Sequence, residues 1–241
     1  MSEKIQRRME RFGNDRNAMG AGTICLLAAA AIAFFIGAPS TVAQAGPPGG
    51  GGPPDLKKIL EGPPPILTID RPQTKTDGTL QVTSSTFGSN GEIPLRNSSY
   101  GESISPALTW SAGPKGTRSY ALVMEDATFG MDRKGNLHWM AFNIAPEVTS
   151  FPEGISQLPA GMIVACCVPH QSRDGKAAYV GPHAPSGAPA FHYSIQIFAL
   201  DKVLDLTAKA SREDLWNAME GHVLAKGAAV GTFQGPADSK Q

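Results

Sequence analysis

Short apolar runs separated by turn residues occupy most of the chain after residue 80, and they restrict it to a fold made mainly of strands. The six runs are Leu80–Ser84, Ala107–Trp110, Ser119–Met124, His138–Ile144, Met162–Val168 and His192–Leu200. Runs of this length with Gly, Pro, Asn and Ser between them are typical of antiparallel strands. The pattern therefore predicts a mostly-β chain, an antiparallel β-sandwich with one or two peripheral helices.

One helix is predicted near the carboxyl end. Ser211 can cap its first turn, and Asp214 stands three residues later, at the acidic position of a capping box. The apolar stripe of this helix contains Leu215, Met219, Val223 and Leu224. Gly227 is predicted to end the helix before a closing strand at 228–233.

The first 45 residues have the pattern of a signal peptide. Five basic residues precede a small, apolar run at 21–37, and Val42-Ala43-Gln44-Ala45 fits a cleavage site. Cleavage after Ala45 predicts a periplasmic or secreted protein. The alternative is an uncleaved membrane anchor, because an apolar run of about 18 residues can span a bilayer. Residues 46–65, rich in Gly and Pro, are predicted to form a flexible linker before a domain at 66–241.

The charge balance excludes several classes of partner. Of the 21 basic and 21 acidic residues, five and three lie in residues 1–45, which leaves 16 and 18, a net charge of −2. No basic cluster predicts nucleic-acid binding or attraction to anionic lipid, and no stable membrane span is expected after signal cleavage.

Two adjacent cysteines follow the signal segment. Neighbouring residues of a strand point to opposite faces, so Cys166 and Cys167 cannot cross-link distant parts of the chain in the ordinary way. Two interpretations remain open: a vicinal disulfide, or two small residues shielded in a buried strand.

Two stretches, residues 105–144 and Tyr179–Asp201, resemble the phosphatidylethanolamine-binding protein family, which includes the Raf kinase inhibitor proteins. The family has a D-P-D-A-P turn, a following H-W or H-H, and a G-x-P-P-x-G-x-x-H-R-Y block. The resemblance covers about residues 78–235. It implies the β-sandwich of that family, with a pocket for a small anion or a phospholipid headgroup.

The resemblance implies the ligand-binding residues. Asp126 matches the first acid of the turn, although an Asp after a strand is also a common cap of its own turn. His138 begins the next strand and would bind an anion together with Asp126. The remaining expected ligand-binding residues are Tyr179, Gly181, Pro182, His183 and His192.

Several family positions are altered. Gly130 stands where the family has a cis proline, so the loop is expected to be looser or differently shaped. Phe191 stands at the histidine of H-R-Y. His192, which stands at the arginine, and His183, in the loop, are the two candidates to replace that histidine.

The resulting prediction is an exported protein that binds a small anion or a phospholipid headgroup. It is expected not to be an enzyme, and no cofactor or metal is predicted. One alternative is an inhibitor of a protease or another enzyme, which would contact it through residues 129–136 with Phe129, Met131 and Leu137 exposed. A second alternative is a hydrolase that uses His138, Asp126 and a nearby serine, although the chain contains no nucleophile motif.

Overall fold

The computed structural model describes residues 60–130, 133–155, 157–167 and 178–237. The predicted signal peptide and residues 46–59 of the predicted linker lie outside these ranges. Within them the strands are β1 (Val82–Thr83), β2 (Leu108–Trp110), β3 (Ser119–Asp126), β4 (Leu137–Ile144), β5 (Ser150–Phe151), β6 (Ile163–Cys166), β7 (Phe191–Leu200) and β8 (Val223–Phe233). One α-helix, α1 (Arg212–Met219), and 3-10 turns at Thr68–Asp70, Pro72–Thr74 and Leu95–Asn97 complete the described elements.

The strands form two antiparallel sheets. The larger sheet has the order β6-β4-β3-β7-β8, and the smaller one has the order β1-β2-β5. The mostly-β, antiparallel architecture with a peripheral helix is therefore confirmed. β3 pairs with β7 from Ser119 opposite Leu200 to Asp126 opposite Tyr193, which brings the end of β3 and the start of β7 to one edge of the sheet.

β3 is buried along its whole length because both faces of the larger sheet are covered. On one face the smaller sheet contributes Trp110, whose ring meets those of Tyr120 and Phe151 at 5.8 and 5.2 Å. The other face packs against α1 through a second apolar cluster, which contains Val123, Phe142, Leu215 and Met219. Alternate residues of β3 therefore point into different cores, so its sequence is apolar without alternation.

The start of α1 agrees with the sequence. The side chain of Ser211 accepts a hydrogen bond from the amide of Asp214, and the carboxylate of Asp214 accepts one from the amide of Ser211. This reciprocal pair is the predicted capping box, which satisfies two amide groups that a helix start otherwise leaves unpaired.

The end of α1 was predicted wrongly. The helix stops at Met219 and the chain turns at Gly221, where φ is +75°. Val223 and Leu224 belong to β8 instead, because pairing with β7 along the sheet edge satisfies their backbone groups. Gly227, predicted to end the helix, lies inside β8, where the carbonyl of Leu80 approaches too closely for a side chain.

Glu125 is a buried carboxylate that joins separate parts of the fold. It accepts hydrogen bonds from the amide and hydroxyl of Thr68 at 2.7 and 3.1 Å, and from Nε2 of Gln196 at 2.9 Å. Nη1 of Arg212 forms an ion pair with it at 2.8 Å. The charge is thus paired and both oxygens are hydrogen-bonded, which a buried carboxylate requires. The network ties β3, β7 and the start of α1 to the segment before β1.

Cys166 and Cys167 are joined by a vicinal disulfide at the end of β6. The amide and carbonyl of Cys167 both hydrogen-bond to Ala178, at 3.1 and 2.7 Å, so this pair joins the end of β6 to the chain that resumes at residue 178. Of the two interpretations that the sequence left open, the structure has the disulfide. No helix in the described ranges is long and apolar enough to cross a bilayer.

Candidate functional site

A pocket of about 240 Å³ opens at one edge of the larger sheet. It lies where β3 ends and where β4 and β7 begin, because these neighbouring strands are antiparallel. The loop that contains residues 180–185 closes another side. The walls are formed by Asp126, Phe129, Asn136, Leu137, His138, Val180, His183, Pro185 and Phe191.

Asp126 is buried at the end of β3 and lines this pocket. Its Oδ1 accepts the amides of Thr128 and Phe129, both at 2.8 Å, whereas Oδ2 has no hydrogen bond from a described residue. The two interpretations of Asp126 therefore both hold geometrically: it caps its own turn and it also faces the pocket. Burial raises the pKa of Asp126 to about 7, against the opposing effect of the two amide hydrogen bonds.

His138 is buried at the start of β4, and its ring faces the same pocket. Its Nδ1 lies 3.0 Å from the carbonyl oxygen of Val180. Because a carbonyl can only accept, Nδ1 carries the proton, and Nε2 of the neutral ring is left as an acceptor. Burial lowers the pKa of His138, and the nearby charge of His183 lowers it further, so the neutral ring is favoured.

Tyr193 adds a buried hydroxyl beside these two residues. It pairs with Asp126 across β3 and β7, and its ring lies 5.2 Å from that of His138. The hydroxyl has no hydrogen-bond partner in the described part of the chain. Burial raises the pKa of Tyr193 and the Asp126 carboxylate raises it further. The backbone of His183 opposes both effects.

Phe191 fills the position at which the family resemblance implies a histidine. It is buried, lines the pocket, and lies 6.5 Å from the ring of Phe129. His192 follows it on β7, so its side chain points to the opposite, exposed side of the sheet. The expectation that His192 replaces the missing histidine is therefore corrected, because strand alternation turns it away from the pocket.

His183 is the other proposed replacement, and it does line the pocket. Its Nδ1 lies 2.9 Å from the hydroxyl of Ser99, and its ring stacks on that of Tyr100 with centroids 4.7 Å apart. The residue is exposed. It therefore stands at the pocket mouth and not among the buried polar groups.

The remaining expected residues, Tyr179, Gly181 and Pro182, form hydrogen bonds that hold the pocket loop in place. The hydroxyl of buried Tyr179 donates to the carbonyl of Asn97 at 2.7 Å, and Gly181 donates its amide to the hydroxyl of Ser103 at 2.8 Å. The carbonyl of Pro182 accepts from the amide of Ser99 at 3.0 Å. These polar groups are already paired inside the protein, so the three residues shape the loop and do not line the pocket.

The loop after Asp126 is hydrogen-bonded to β7 although it lacks the family's proline. The amide of Ala127 donates to the carbonyl of His192 at 2.7 Å, and the hydroxyl of Thr128 accepts the amide of His192 at 2.8 Å. At Gly130 the Lys134 carbonyl leaves no space for a side chain. These hydrogen bonds fix the first residues of the loop to the sheet.

Sequence reasoning missed most of the apolar wall. Leu137, Val180, Pro185 and Phe191 line the pocket, yet none was predicted to do so. Alternation along β7 was the available signal for Phe191, because His192 and Phe191 must face opposite sides. The other three positions depend on how the loops fold, which no local pattern indicates.

Among the described residues, the lining contains neither lysine nor arginine, and no serine that could serve as a nucleophile. Its buried hydrogen-bonding groups are a carboxyl group that can gain or lose a proton near neutral pH and an imidazole acceptor. No cluster of His, Cys, Asp or Glu suited to a metal ion occurs among the described residues. The arrangement can thus bind a polar group and exchange one proton with it.

Comparisons with known proteins agree with this fold. The sequence profile of the phosphatidylethanolamine-binding protein family matches residues 83–234. A UPF0098 protein of Methanothermobacter thermautotrophicus is 36% identical over 155 residues, which cover 64% of this chain and 99% of that protein. A Mycobacterium tuberculosis protein named as a lipoprotein, LppC, is 33% identical over 158 residues, 65% of this chain and 73% of its own length.

Solved structures have the same architecture. The phosphatidylethanolamine-binding protein homologue CT736 of Chlamydia trachomatis aligns over 66% of this chain and 100% of its own, with a TM-score of 0.57 and 28% identity. Escherichia coli YbcL, also described as a member of that family, aligns over the same shares with a TM-score of 0.56 and 22% identity, which indicates a common fold. Because the profile spans more than half of the sequence and includes both Asp126 and His138, this chain belongs to the phosphatidylethanolamine-binding protein family.

Proposed function

We propose that this protein is a binding protein and not an enzyme, and that its pocket takes the acidic head of a small molecule. The head is a phosphate-type or carboxylate group, carried by a soluble compound or by a phospholipid headgroup. One observation carries the proposal: Asp126 and His138 line the same pocket, and no described residue forms a hydrogen bond with Oδ2 of Asp126 or Nε2 of His138. Tyr193 lies beside both residues.

The protonation states explain how an acid can bind although no lysine or arginine occurs among the described residues of the wall. A pKa of about 7 leaves Asp126 protonated in roughly half of the molecules at neutral pH, and its hydroxyl can then donate to an anion. Tyr193 supplies a second donor beside the pocket. Nε2 of His138 accepts from a hydroxyl of the ligand, such as the remaining P–OH of a phosphate monoanion.

We further propose that the protein works outside the cytoplasm, in the periplasm or as a secreted protein. The basic, apolar and small residues of 1–45 support this location, since they follow the order of a signal peptide. The name of the mycobacterial relative, a lipoprotein, also agrees with export.

The two alternative functions are not favoured. An inhibitor needs apolar side chains exposed for a protein partner, but Phe129 and Leu137 are half-buried against the core, and Met131 lies outside the described residues. A hydrolase needs a nucleophile within hydrogen-bond reach of its base, and the described residues of the pocket wall include no serine.

Calorimetric titration of the purified protein with inorganic phosphate, phosphoethanolamine and a short-chain phosphatidylethanolamine tests the binding function. We expect saturable binding of at least one of them, weakened at least tenfold in Asp126→Ala and in His138→Ala. His192→Ala is the matched control, because it removes an exposed imidazole on the other side of β7. Equal affinity in all four proteins would place binding elsewhere and overturn the proposal.

A further inference from the structure

The polar groups of the pocket limit the charge that a ligand can bring. Among the described lining residues the titratable groups are Asp126, His138 and His183. Tyr193 of β7 lies beside Asp126 and His138, and Tyr100 stacks on His183. None of these groups is a permanent cation. A dianion placed beside Asp126 would therefore be buried without a counter-charge, which is costly in a low-dielectric site.

A carboxylate avoids that cost by sharing a proton with Asp126. Two acids held close together retain one proton between them, because both cannot ionise at short range. Oδ1 of Asp126 is occupied by two backbone amides, which leaves Oδ2 as the atom that would carry the proton. The complex then holds a single negative charge, spread over the ligand carboxylate and the Asp126 carboxyl.

The rest of the pocket wall is apolar and favours a ligand with an apolar group. Of the nine described lining residues, five are apolar: Phe129, Leu137, Val180, Pro185 and Phe191. The rings of Phe129 and Phe191 lie 6.5 Å apart with planes inclined by 32°, a spacing within the range of aromatic contacts. A volume of about 240 Å³ holds roughly eight water molecules at their liquid volume, which suits one ring with a short substituent.

We propose that the pocket takes an aromatic monocarboxylic acid, whose carboxylate hydrogen-bonds to protonated Asp126 and whose ring packs beside Phe129 and Phe191. The inference rests on the proposed function, since it specifies the ligand of the same pocket. The apolar residue at 191 selects the ring, and the lack of a cation among the described lining residues selects a monoanion over a phosphate dianion.

The probes that test it are benzoate, acetate, benzyl alcohol and inorganic phosphate, titrated separately into the purified protein by calorimetry at pH 6.5 and 8.5. Benzoate is expected to bind at least tenfold more tightly than acetate, which lacks the ring, and than benzyl alcohol, which lacks the acid. It should also exceed phosphate by at least tenfold. Because Asp126 must be protonated, the affinity for benzoate should fall about tenfold per pH unit above pH 7.

Two variants separate the contribution of the apolar residue at 191 from that of the Asp126 proton. Phe191→His introduces the histidine that the family resemblance implies, and it should lower the ratio of benzoate to phosphate affinity at least tenfold. His192→Ala, one residue further along β7 and exposed, should leave that ratio unchanged. Circular dichroism shows whether Phe191→His folds, and if it does not, Asp126→Asn is the deciding variant. The amide that this substitution introduces would donate a hydrogen bond to benzoate but cannot titrate. The affinity of Asp126→Asn for benzoate should therefore be independent of pH between 6.5 and 8.5.

The outcomes distinguish this inference from the proposed function. Tighter binding of phosphate than of benzoate, or equal binding of benzyl alcohol and benzoate, would overturn the inference, and the first of these would leave the anion-binding function intact. An unchanged pH slope in Asp126→Asn would also overturn it. If neither benzoate, acetate nor phosphate binds, and the phospholipid headgroups also fail, the proposed function fails with it.

Discussion

Asp126 uses its two carboxylate oxygens for two different tasks. Oδ1 accepts the amides of Thr128 and Phe129 and so fixes the turn after β3, while Oδ2 of this pocket-lining residue accepts no hydrogen bond from a described residue. The turn therefore orients the carboxyl group, and burial leaves it able to titrate near neutral pH. A single residue thus couples the shape of the loop to the chemistry of the pocket.

The buried carboxyl makes stability depend on pH. Burial raises the pKa of Asp126 from 3.8 to about 7, so between these values the folded protein keeps a proton that the unfolded chain has released. This contribution to stability therefore falls as pH rises from about 4 to about 7 and stays low above that. Asp126→Asn cannot ionise and does not lose this stability. Its free energy of unfolding, relative to that of the wild type, should therefore be roughly 1–3 kcal/mol higher at pH 8 than at pH 4.5.

Urea unfolding of both proteins at the two pH values measures this difference. Asp205→Asn is the control, because it removes an exposed carboxylate of the same domain. Parallel pH profiles for the wild type and Asp126→Asn would contradict the assignment of a buried, titrating carboxyl group to this position.

Gly181 is required by the close approach of two chain segments. A side chain at this position would overlap the main chain of Asn97 and Ser98, which neighbour the loop. Gly181→Ala should therefore lower the free energy of unfolding by about 1–3 kcal/mol, since the backbone must move to make space. Thermal unfolding measures the change, and an unaltered melting temperature would count against this packing.

At the scale of elements, α1 and β3 are joined by the ion pair between Arg212 and Glu125. The side chain of Glu125 is fully buried and that of Arg212 is 13% exposed. By contrast, Lys134 and Glu213 form an ion pair with side chains that are 36% and 47% exposed. The first pair is shielded from solvent, whereas water screens the second.

Arg212→Met should destabilise the protein by about 3–5 kcal/mol, because it leaves the Glu125 carboxylate buried without its cation. Lys134→Met, at the exposed pair, should cost less than about 1 kcal/mol. Adding Glu125→Gln to Arg212→Met removes the unpaired charge and should recover part of the loss. Chemical unfolding of the three variants and the wild type measures these values; equal costs for Arg212→Met and Lys134→Met would refute the distinction.

At the scale of the whole molecule, one core joins the two sheets. Trp110 comes from the smaller sheet and contacts Tyr120 of the larger one, so neither sheet can bury its apolar face alone. We expect the described domain to unfold as one cooperative unit, because separation of the sheets would expose both faces at once.

Trp110→Ala tests this shared core. Removal of the buried indole should cost about 3–5 kcal/mol, and the transition should remain single. Val203→Ala, at a side chain that is 55% exposed, is the control and should change stability little. Far-ultraviolet and near-ultraviolet circular dichroism should give coincident unfolding curves for every variant; two separated transitions would mean that the sheets unfold independently.

The sequence by itself determined the strand pattern, the capping box of Ser211 and Asp214, and the placement of Asp126 and His138 at the ends of neighbouring strands. These features are encoded locally, in residue periodicity and in contacts between residues close along the chain. The family resemblance supplied the fold, since its motifs occur at matching positions in the chain. The alternation of side chains along β7 also indicates that Phe191 and His192 point to opposite faces of the sheet. The sequence interpretation nevertheless kept His192 as a candidate for the pocket.

Only the tertiary structure decided the limits of α1, the partners of Glu125 and the apolar wall of the pocket. Helical spacing extended α1 through Val223, but pairing with β7 draws that residue into β8. The partners of Glu125 lie 57 to 87 residues away along the chain. Such contacts form when the sheets and the helix pack together, so local periodicity does not indicate them.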